Sequence, residues 1–391
     1  MATFALCPPG LSLIPLGAYV RLPGGPIWGR SGIMISATKL PLLRTLIGIT
    51  MDSLRYELLS WVANLKIAWG YHTGMKFGYF LRPGITYEGM VDLAQHAEEL
   101  GLHGAYLNDH VLGLFREEKM PFLEAMTTLA AVGVQTKKIR LGHITIFNGL
   151  RNPAYLAKTI STLDNLFKGR YDTILGAGWM KKEYEGYDLT GNGKGVPPGW
   201  KRADLLIETI KIIKGMTQSP EFSYKSKYWK LDEAYNYPLS LQQPMPVIVG
   251  GSKPRTVRAA VKYADGVNAL CVGRGLGALR DVKYLLDSAL DKYDKSQDEF
   301  GFSGFDHMVW HYGSTEEYEK GARDTAERFR RPVETVNQDL FMGTTEVLIE
   351  KFRKAEDMGV DTMIIFVRPT GDVKLAKENL SRFRDEVISQ L

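Results

Sequence analysis

Cysteine is scarce in this chain of 391 residues, which holds only Cys7 and Cys271. Cys7 lies in an amino-terminal stretch unlike the rest, so Cys271 stands alone in the body and no disulfide framework is available. A reducing, cytoplasmic setting follows. The seven histidines (72, 96, 103, 110, 143, 307 and 311) show neither HExxH nor Cys/His ligand spacing, which leaves a structural zinc site without support. No apolar run reaches membrane length: Pro8, Pro9, Pro15 and Pro23, then Lys39, Pro41 and Arg44, interrupt the greasiest part. No basic residue precedes that part, which argues against a secretory signal. Excess charge is lacking as well. Of the formal +5, residues 1–74 contribute six basic side chains against two acidic, leaving 43 basic and 42 acidic residues for the remainder. A nearly neutral body with no basic stripe is a poor binder of nucleic acid.

Over residues 1–36 there is no helical or strand periodicity, and roughly 52–69 is the only helix-like part, with Leu54, Leu58, Trp61, Val62 and Leu65 on one face. The character changes at Met75-Lys-Phe-Gly-Tyr-Phe80, which reads as the first strand of a domain with a methionine directly in front. Residues 1–74 are therefore read as an extension arising from a misassigned start or as disordered chain, with a membrane-surface anchor as the alternative. The body is 75–391.

From Met75 onward, short apolar runs alternate with amphipathic stretches. Strands are predicted at 76–81, 104–108, 140–146, 171–176, 246–250, 266–271, 307–312 and 361–367. Helices are predicted between them at 86–101, 121–136, 152–167, 199–217, 253–264, 275–295, 314–330 and 343–359, with a last one at 373–390. Eight strands, each followed by a helix, within about 315 residues predict an α/β (β/α)8 barrel with chemistry on the loops after the strand carboxyl ends. Two of those loops are long, Trp179 to Pro198 and 218–245, and the second contains a predicted β-hairpin.

Four segments carry candidate chemistry. The second strand ends in Asn108-Asp109-His110, where the histidine is a proton donor or acceptor and the carboxylate a group to orient it; a rim histidine that only caps the next segment fits the position too. The fourth strand runs into Gly176-Ala177-Gly178-Trp179, which lets backbone approach a planar ligand and offers a flat indole, or simply makes a tight turn. After the fifth strand, Gly250-Gly251-Ser252 opens a helix at Pro254, suiting a phosphate at the helix amino terminus, although Ser252 equally fits a plain N-cap. The GxGxxG fingerprint and its acidic partner are missing, so this is not a Rossmann site. Gly142 in the third strand suggests a bulge or close backbone approach, and His143 beside it fits a barrel-interior side chain.

Taken in order and spacing, Ala97-Glu-Glu-Leu-Gly-Leu102 with Asn108-Asp-His110, Thr136-Lys-Lys-Ile-Arg-Leu-Gly142, Arg151-Asn-Pro153, Leu163-Asp164 with Gly169-Arg170, Leu175-Gly-Ala-Gly-Trp179 with Glu183, Gly250-Gly-Ser252 and Tyr263-Ala-Asp-Gly266 resemble the luciferase-like monooxygenase family over nearly the whole body. The resemblance implies a barrel binding FMN or coenzyme F420 at the strand carboxyl ends, with a non-proline cis peptide near Ile144-Thr145. Asn108-Asp109-His110, the Trp179 turn and Glu183 are similar to the F420-dependent branch, where the histidine sits near the reactive carbon of the deazaflavin. By that resemblance His110 is the acid/base and Asp109 its support. Ile144, Thr145 and Gly176 to Trp179 would hold the cofactor ring, and Gly250, Gly251 and Ser252 its phosphate. Met180-Lys181-Lys182 departs from the sugar-phosphate dehydrogenases of that branch, which carry an acidic residue after the glycine turn. The reading is hydride transfer between F420 and a small organic substrate (an alcohol, a tetrahydropterin or an activated alkene) by a homodimer. The alternatives are an FMN-dependent monooxygenase using O2 and a non-catalytic flavin-binding barrel.

A chain shortened to Met75–Leu391 is expected to fold and keep its activity. Insolubility or inactivity of that truncation would overturn the reading of residues 1–74.

Overall fold

The computed structural model describes residues 74–113 and 119–391, so the expectations for the first 73 residues lie outside it. In chain order the described elements are β1 (Lys76–Phe80), α1 (Tyr87–Glu99), β2 (Gly104–Leu107), α2 (Ala125–Val134), β3 (Arg140–His143), β4 (Ile146–Phe147), α3 (Pro153–Leu166), β5 (Tyr171–Gly176), α4 (Lys181–Gly186), α5 (Gly199–Gln218), β6 (Glu221–Lys225) and β7 (Lys230–Tyr235). Then follow β8 (Val247–Gly250), α6 (Pro254–Tyr263), β9 (Gly266–Leu270), α7 (Leu276–Tyr293), β10 (Gly301–His311), α8 (Thr315–Phe329), α9 (Val333–Asp339), β11 (Met342–Gly343), α10 (Thr345–Asp357), β12 (Thr362–Val367) and α11 (Val373–Glu386).

Parallel pairing runs β1–β2–β3–β5–β8–β9–β10–β12 and returns to β1, which closes eight staves into a TIM barrel. The hairpin expected in 218–245 forms as β6–β7. Among the described residues no helix is long and apolar enough to cross a membrane.

Several predicted boundaries move, each for a local reason. The helix predicted from 121 starts at Ala125, because the Glu124 carboxylate accepts the Thr127 amide and caps it there. The third strand breaks after His143, where Ile144–Thr145 is cis, and resumes as the short β4. The seventh stave begins at Gly301, six residues before the predicted 307. Its first half, Gly301-Phe-Ser-Gly-Phe305, mixes small residues into the apolar run because the wall is tight there: a Cβ on Gly304 would lie 2.5 Å from Met363 Sδ. The short helices α4 and α9 fall in stretches that have too few residues for a helical period to show.

The outer layer of the core is aromatic. Phe77 packs edge-on against Phe352 of α10 at 5.1 Å and Phe383 of α11 at 6.3 Å, joining the first stave to the last helices. Inside the barrel, one ring dominates the lower half. Tyr106 on β2 lies against Gly78 of β1, Gly104 of its own strand and Gly142 of β3; a Cβ at the first two would lie 2.5 and 2.6 Å from the ring. Its buried hydroxyl donates to Asp172 Oδ2 at 2.8 Å, and Arg140 Nε donates to Asp172 Oδ1 at 2.8 Å. Burial beside that carboxylate pushes the tyrosine pKa well up, so the hydroxyl stays a donor. Gly142 is thus the close backbone approach expected from sequence: a Cβ there would lie 2.8 Å from the Asp172 carbonyl oxygen and 3.1 Å from the Tyr106 ring.

Gly78→Ala is expected to cost about 1–3 kcal/mol of stability in urea unfolding, the usual range for overpacking a tight core. Combined with Tyr106→Leu it should cost less than the sum of the two single changes. Additivity would show that the ring and the glycine are not in conflict.

Candidate active site

The carboxyl end of β2 delivers Asp109 and His110 to the rim, and extended backbone sends the two side chains to different places. Asp109 is 1% exposed. Its Oδ2 accepts the Phe147 amide at 2.9 Å and Arg151 Nη1 at 2.5 Å, while Oδ1 accepts Arg151 Nη2 at 3.0 Å. Arg151 also donates to Glu124 Oε1 at 2.5 Å. That contact and the Thr127 amide together hold Glu124 down at about 2 against its burial. Asp109 is therefore not the orienting partner of His110, as the sequence suggested. It fastens β4 and the start of α3 to the end of β2.

The partner of His110 is Glu183 on α4. His110 Nδ1 donates to the two carboxylate oxygens at 3.0 and 2.9 Å, and the Val111 amide donates to Oε1 at 2.8 Å. Glu183 is fully buried. A carboxylate in this place accepts from Nδ1, the usual arrangement when a carboxylate lies behind a histidine. The contact spans 73 residues, and the only sequence signal for Glu183 was its place four residues after the Trp179 turn. The His110 ring is flanked by Phe147 at 5.9 Å and Trp179 at 6.2 Å, both edge-on. Trp179 is 53% exposed, which leaves indole surface open beside the histidine.

The glycines have a more domestic use than a ligand alone. A Cβ on Gly176 would meet Thr145 Oγ1 at 2.1 Å, and one on Gly250 would meet Thr145 Cγ2 at 2.3 Å, so the Thr145 side chain is seated between the ends of β5 and β8. Gly178, at φ +73°, would drive a Cβ to 1.7 Å from the Phe147 ring. Ile144, Thr145, Gly176, Ala177, Gly178 and Trp179 thus share one wall with His110. Gly250-Gly251-Ser252 is on the next stave along. There the N-cap of α6 is Lys253, not Ser252, and it makes no side-chain bond to the first turn. Arg255 of that turn pairs with Asp204 of α5, which also accepts the Tyr228 hydroxyl at 3.3 Å and so ties the hairpin turn to the same corner. His143 is buried with Nδ1 on the Tyr171 hydroxyl at 2.9 Å; burial lowers its pKa, and it belongs to the barrel rather than the rim. Among the described residues no cluster of His, Cys, Asp or Glu suits a metal ion.

The luciferase-like monooxygenase family model matches residues 75–311. The chain belongs to that family. Relatives of this luciferase-like chain include an F420-dependent glucose-6-phosphate dehydrogenase of Amycolatopsis mediterranei, 29% identical over 49% of this chain and 56% of the relative. Another is the oxygenase component of a flavin-dependent trigonelline monooxygenase from Acinetobacter baylyi, 26% identical over 53% of this chain and 55% of the relative. The chain thus spans little more than half the length of these two curated relatives. An F420-dependent secondary alcohol dehydrogenase in complex with an F420-acetone adduct superposes with a TM-score of 0.66 at 18% identity, over 81% of this chain and 99% of that one. The coenzyme F420-dependent tetrahydromethanopterin reductase of Methanopyrus kandleri gives 0.63 at 19% identity, with the same two coverages. Those two likenesses establish the shared barrel.

Asp109→Ala in this luciferase-like protein leaves the Arg151 guanidinium half-paired and the Phe147 amide without its acceptor. A loss of about 3–5 kcal/mol in urea unfolding is expected, the usual cost of breaking a buried ion pair from one side. An unchanged midpoint would remove Asp109 from its role as the rim's fastening.

Proposed function

We propose that this protein is an F420-dependent oxidoreductase transferring a hydride between the deazaflavin and a small organic substrate such as an alcohol, a tetrahydropterin or an activated alkene. The observation that carries the reading is the buried Glu183 carboxylate bonded to His110 Nδ1, which sets a histidine ring between Trp179 and Phe147.

The residues present suit such a cofactor. The exposed Trp179 face and the Ile144–Thr145 backbone would hold the ring. The first turn of α6, with Gly251 at φ +158° and a Cβ there only 2.6 Å from Thr256 Cγ2, would hold the phosphate. F420, when bound, supplies a ring that takes or gives two electrons and a proton equivalent as hydride. His110 Nε2 takes the proton from a substrate hydroxyl, or returns it in the reverse direction, and Glu183 stabilises the imidazolium meanwhile. Thr145, locked between Gly176 and Gly250, and Phe147, locked against Gly178, keep the wall from shifting during that transfer.

The test has two parts. Purified protein is titrated with F420 and with FMN side by side, and tight F420 binding with weak FMN binding is expected. A preference for FMN would move the reading to an oxygen-using monooxygenase, and binding of neither would leave a non-catalytic barrel. His110→Ala should bind the cofactor as before and lose about 10²–10⁴ in turnover, the range for a general acid/base. Normal turnover in that variant would remove His110 from the chemistry.

A further inference from the structure

Beyond the wall that carries His110, the interior face of the barrel turns to carbon. β1 and β10 are not neighbours, since β12 lies between them, so side chains from the two can touch only across the interior. Phe80 of β1 and Phe305 of β10 meet there at 5.1 Å, and Phe366 of β12 joins Phe80 at 6.3 Å. Residues paired across a parallel ladder point the same way, and Phe305 is the partner of Leu270, the last residue of β9. Leu270 therefore faces inward, at the carboxyl end of its stave. It is nonetheless 55% exposed, so its side chain is open carbon at the barrel mouth. Two residues back on the same face, Asn268 Nδ2 donates to Ser303 Oγ at 2.9 Å, and both residues are buried. That pair keeps the polar groups of this face below the apolar layer. His307, only partly buried, stands on the same bed, 6.0 Å from Phe80 and 5.6 Å from Phe305. Just there the register of β10 against β12 slips between Asp306 and Val309. Bulges at barrel rims commonly re-aim a side chain beside a site.

We propose that Leu270 and His307, over the Phe80, Phe305 and Phe366 bed, form the substrate's seat and select an uncharged, largely apolar molecule with one reacting oxygen, namely an apolar ketone or the matching secondary alcohol. This rests on the redox reading above for what reacts. Under that reading the ketone's carbon takes the hydride from reduced F420 and its oxygen takes the proton from His110; the reverse converts the alcohol. Phe80 is on the stave next to the one that delivers His110, so the bed borders the wall from which the proton comes. Covering the open surface of Leu270 favours a ligand of carbon. A carboxylate or phosphate laid there would lose its water against apolar side chains, with one imidazole to replace it. Burial holds the His307 pKa below the ordinary histidine range, so that ring brings a hydrogen bond and no charge. The hydroxyls of a sugar, or the ring nitrogens of a tetrahydropterin, would go unpaired on the same bed. The specificity expected is therefore for a neutral apolar ketone or alcohol and against acids and sugar phosphates.

The experiment titrates acetophenone, benzoate and glucose 6-phosphate separately into the full-length protein labelled with ¹⁵N-histidine, with and without F420. Acetophenone and benzoate share a ring and a carbonyl and differ in charge. The His307 resonances are assigned by their loss in His307→Gln. Acetophenone is expected to shift them saturably, and benzoate to bind about tenfold more weakly or worse, the scale of drying one charge without a partner. Leu270→Lys should weaken acetophenone about tenfold and turn the preference towards benzoate, while Leu270→Met keeps the original order. If Leu270→Lys proves unfolded by circular dichroism, Leu270→Ser decides in its place. Glucose 6-phosphate should leave His307 unmoved. Acetophenone that never reaches His307, or whose affinity ignores the polar change at Leu270, overturns the seat. Benzoate or glucose 6-phosphate that binds the unaltered protein as tightly as acetophenone overturns the preference for an uncharged substrate. Failure of F420 to bind while acetophenone still responds to the change at Leu270 would sink the redox reading alone.

Discussion

The rim of this barrel depends on the Arg151–Asp109 pair. A barrel fixes where its strands end but not how the loops beyond them lie, and this pair joins three such ends. Asp109 comes from the end of β2, the Phe147 amide from β4, and Arg151 from the residue before the N-cap of α3. With Asp109 1% exposed, the desolvation cost is large and the net gain in stability small, so what the pair contributes is geometry. Once Phe147 is placed, its ring fills the gap that Gly178 leaves and packs on Tyr184 at 5.3 Å, next to Glu183. The carboxylate that sets His110 is thus positioned through a chain of contacts beginning at a charge pair that never touches the histidine.

The same logic explains where the glycines fall. Gly78, Gly104 and Gly142 make room for Tyr106 in the lower barrel, while Gly176 and Gly250 make room for Thr145 above. In both places several staves give up side-chain volume so that one side chain can occupy the axis or the wall at close-packed density. The lower ring is stapled by the Asp172–Arg140 pair and is a matter of stability; the upper cluster borders the rim and is a matter of shape. Phe80, Phe305 and Phe366, on the first, seventh and eighth staves, close the interior next to the stave of His110, so an aromatic wall carrying His307 adjoins the wall that carries His110 and Trp179.

Much of this was legible in the residues. Alternating apolar runs and amphipathic stretches gave eight staves and their helices, because a parallel barrel buries both faces of every strand and leaves each crossover helix one apolar stripe. Where a strand carried glycine for tight packing, as in Gly301-Phe-Ser-Gly-Phe305, the run lost contrast and its start was placed six residues late. The rim was harder. Asp109 and His110 are adjacent in sequence and read as a working pair, but neighbours on extended backbone diverge, and the true partner was Glu183. Ser252 looked like a cap by residue type, yet the chain turns into α6 one residue later. The contact of Phe80 with Phe305 and His307 was invisible, since only closure of the barrel brings the first and seventh staves within reach of each other.

The two walls also divide the work in a way that limits what the protein can accept. On the Trp179 side the groups are set by long-range contacts that tolerate no change of volume: a single methyl on Gly178 would overlap Phe147. A wall fixed in this way suits a ligand of one shape, the condition a cofactor would meet under the proposed reading. On the Phe80 side the fixed elements are three aromatic faces and the His307 ring, which constrain polarity far more than outline. A site built so discriminates strongly against molecules that leave polar groups unpaired and only weakly among apolar ones, because a methylene is worth about 1–3 kcal/mol while an unmatched buried polar group costs the binding itself.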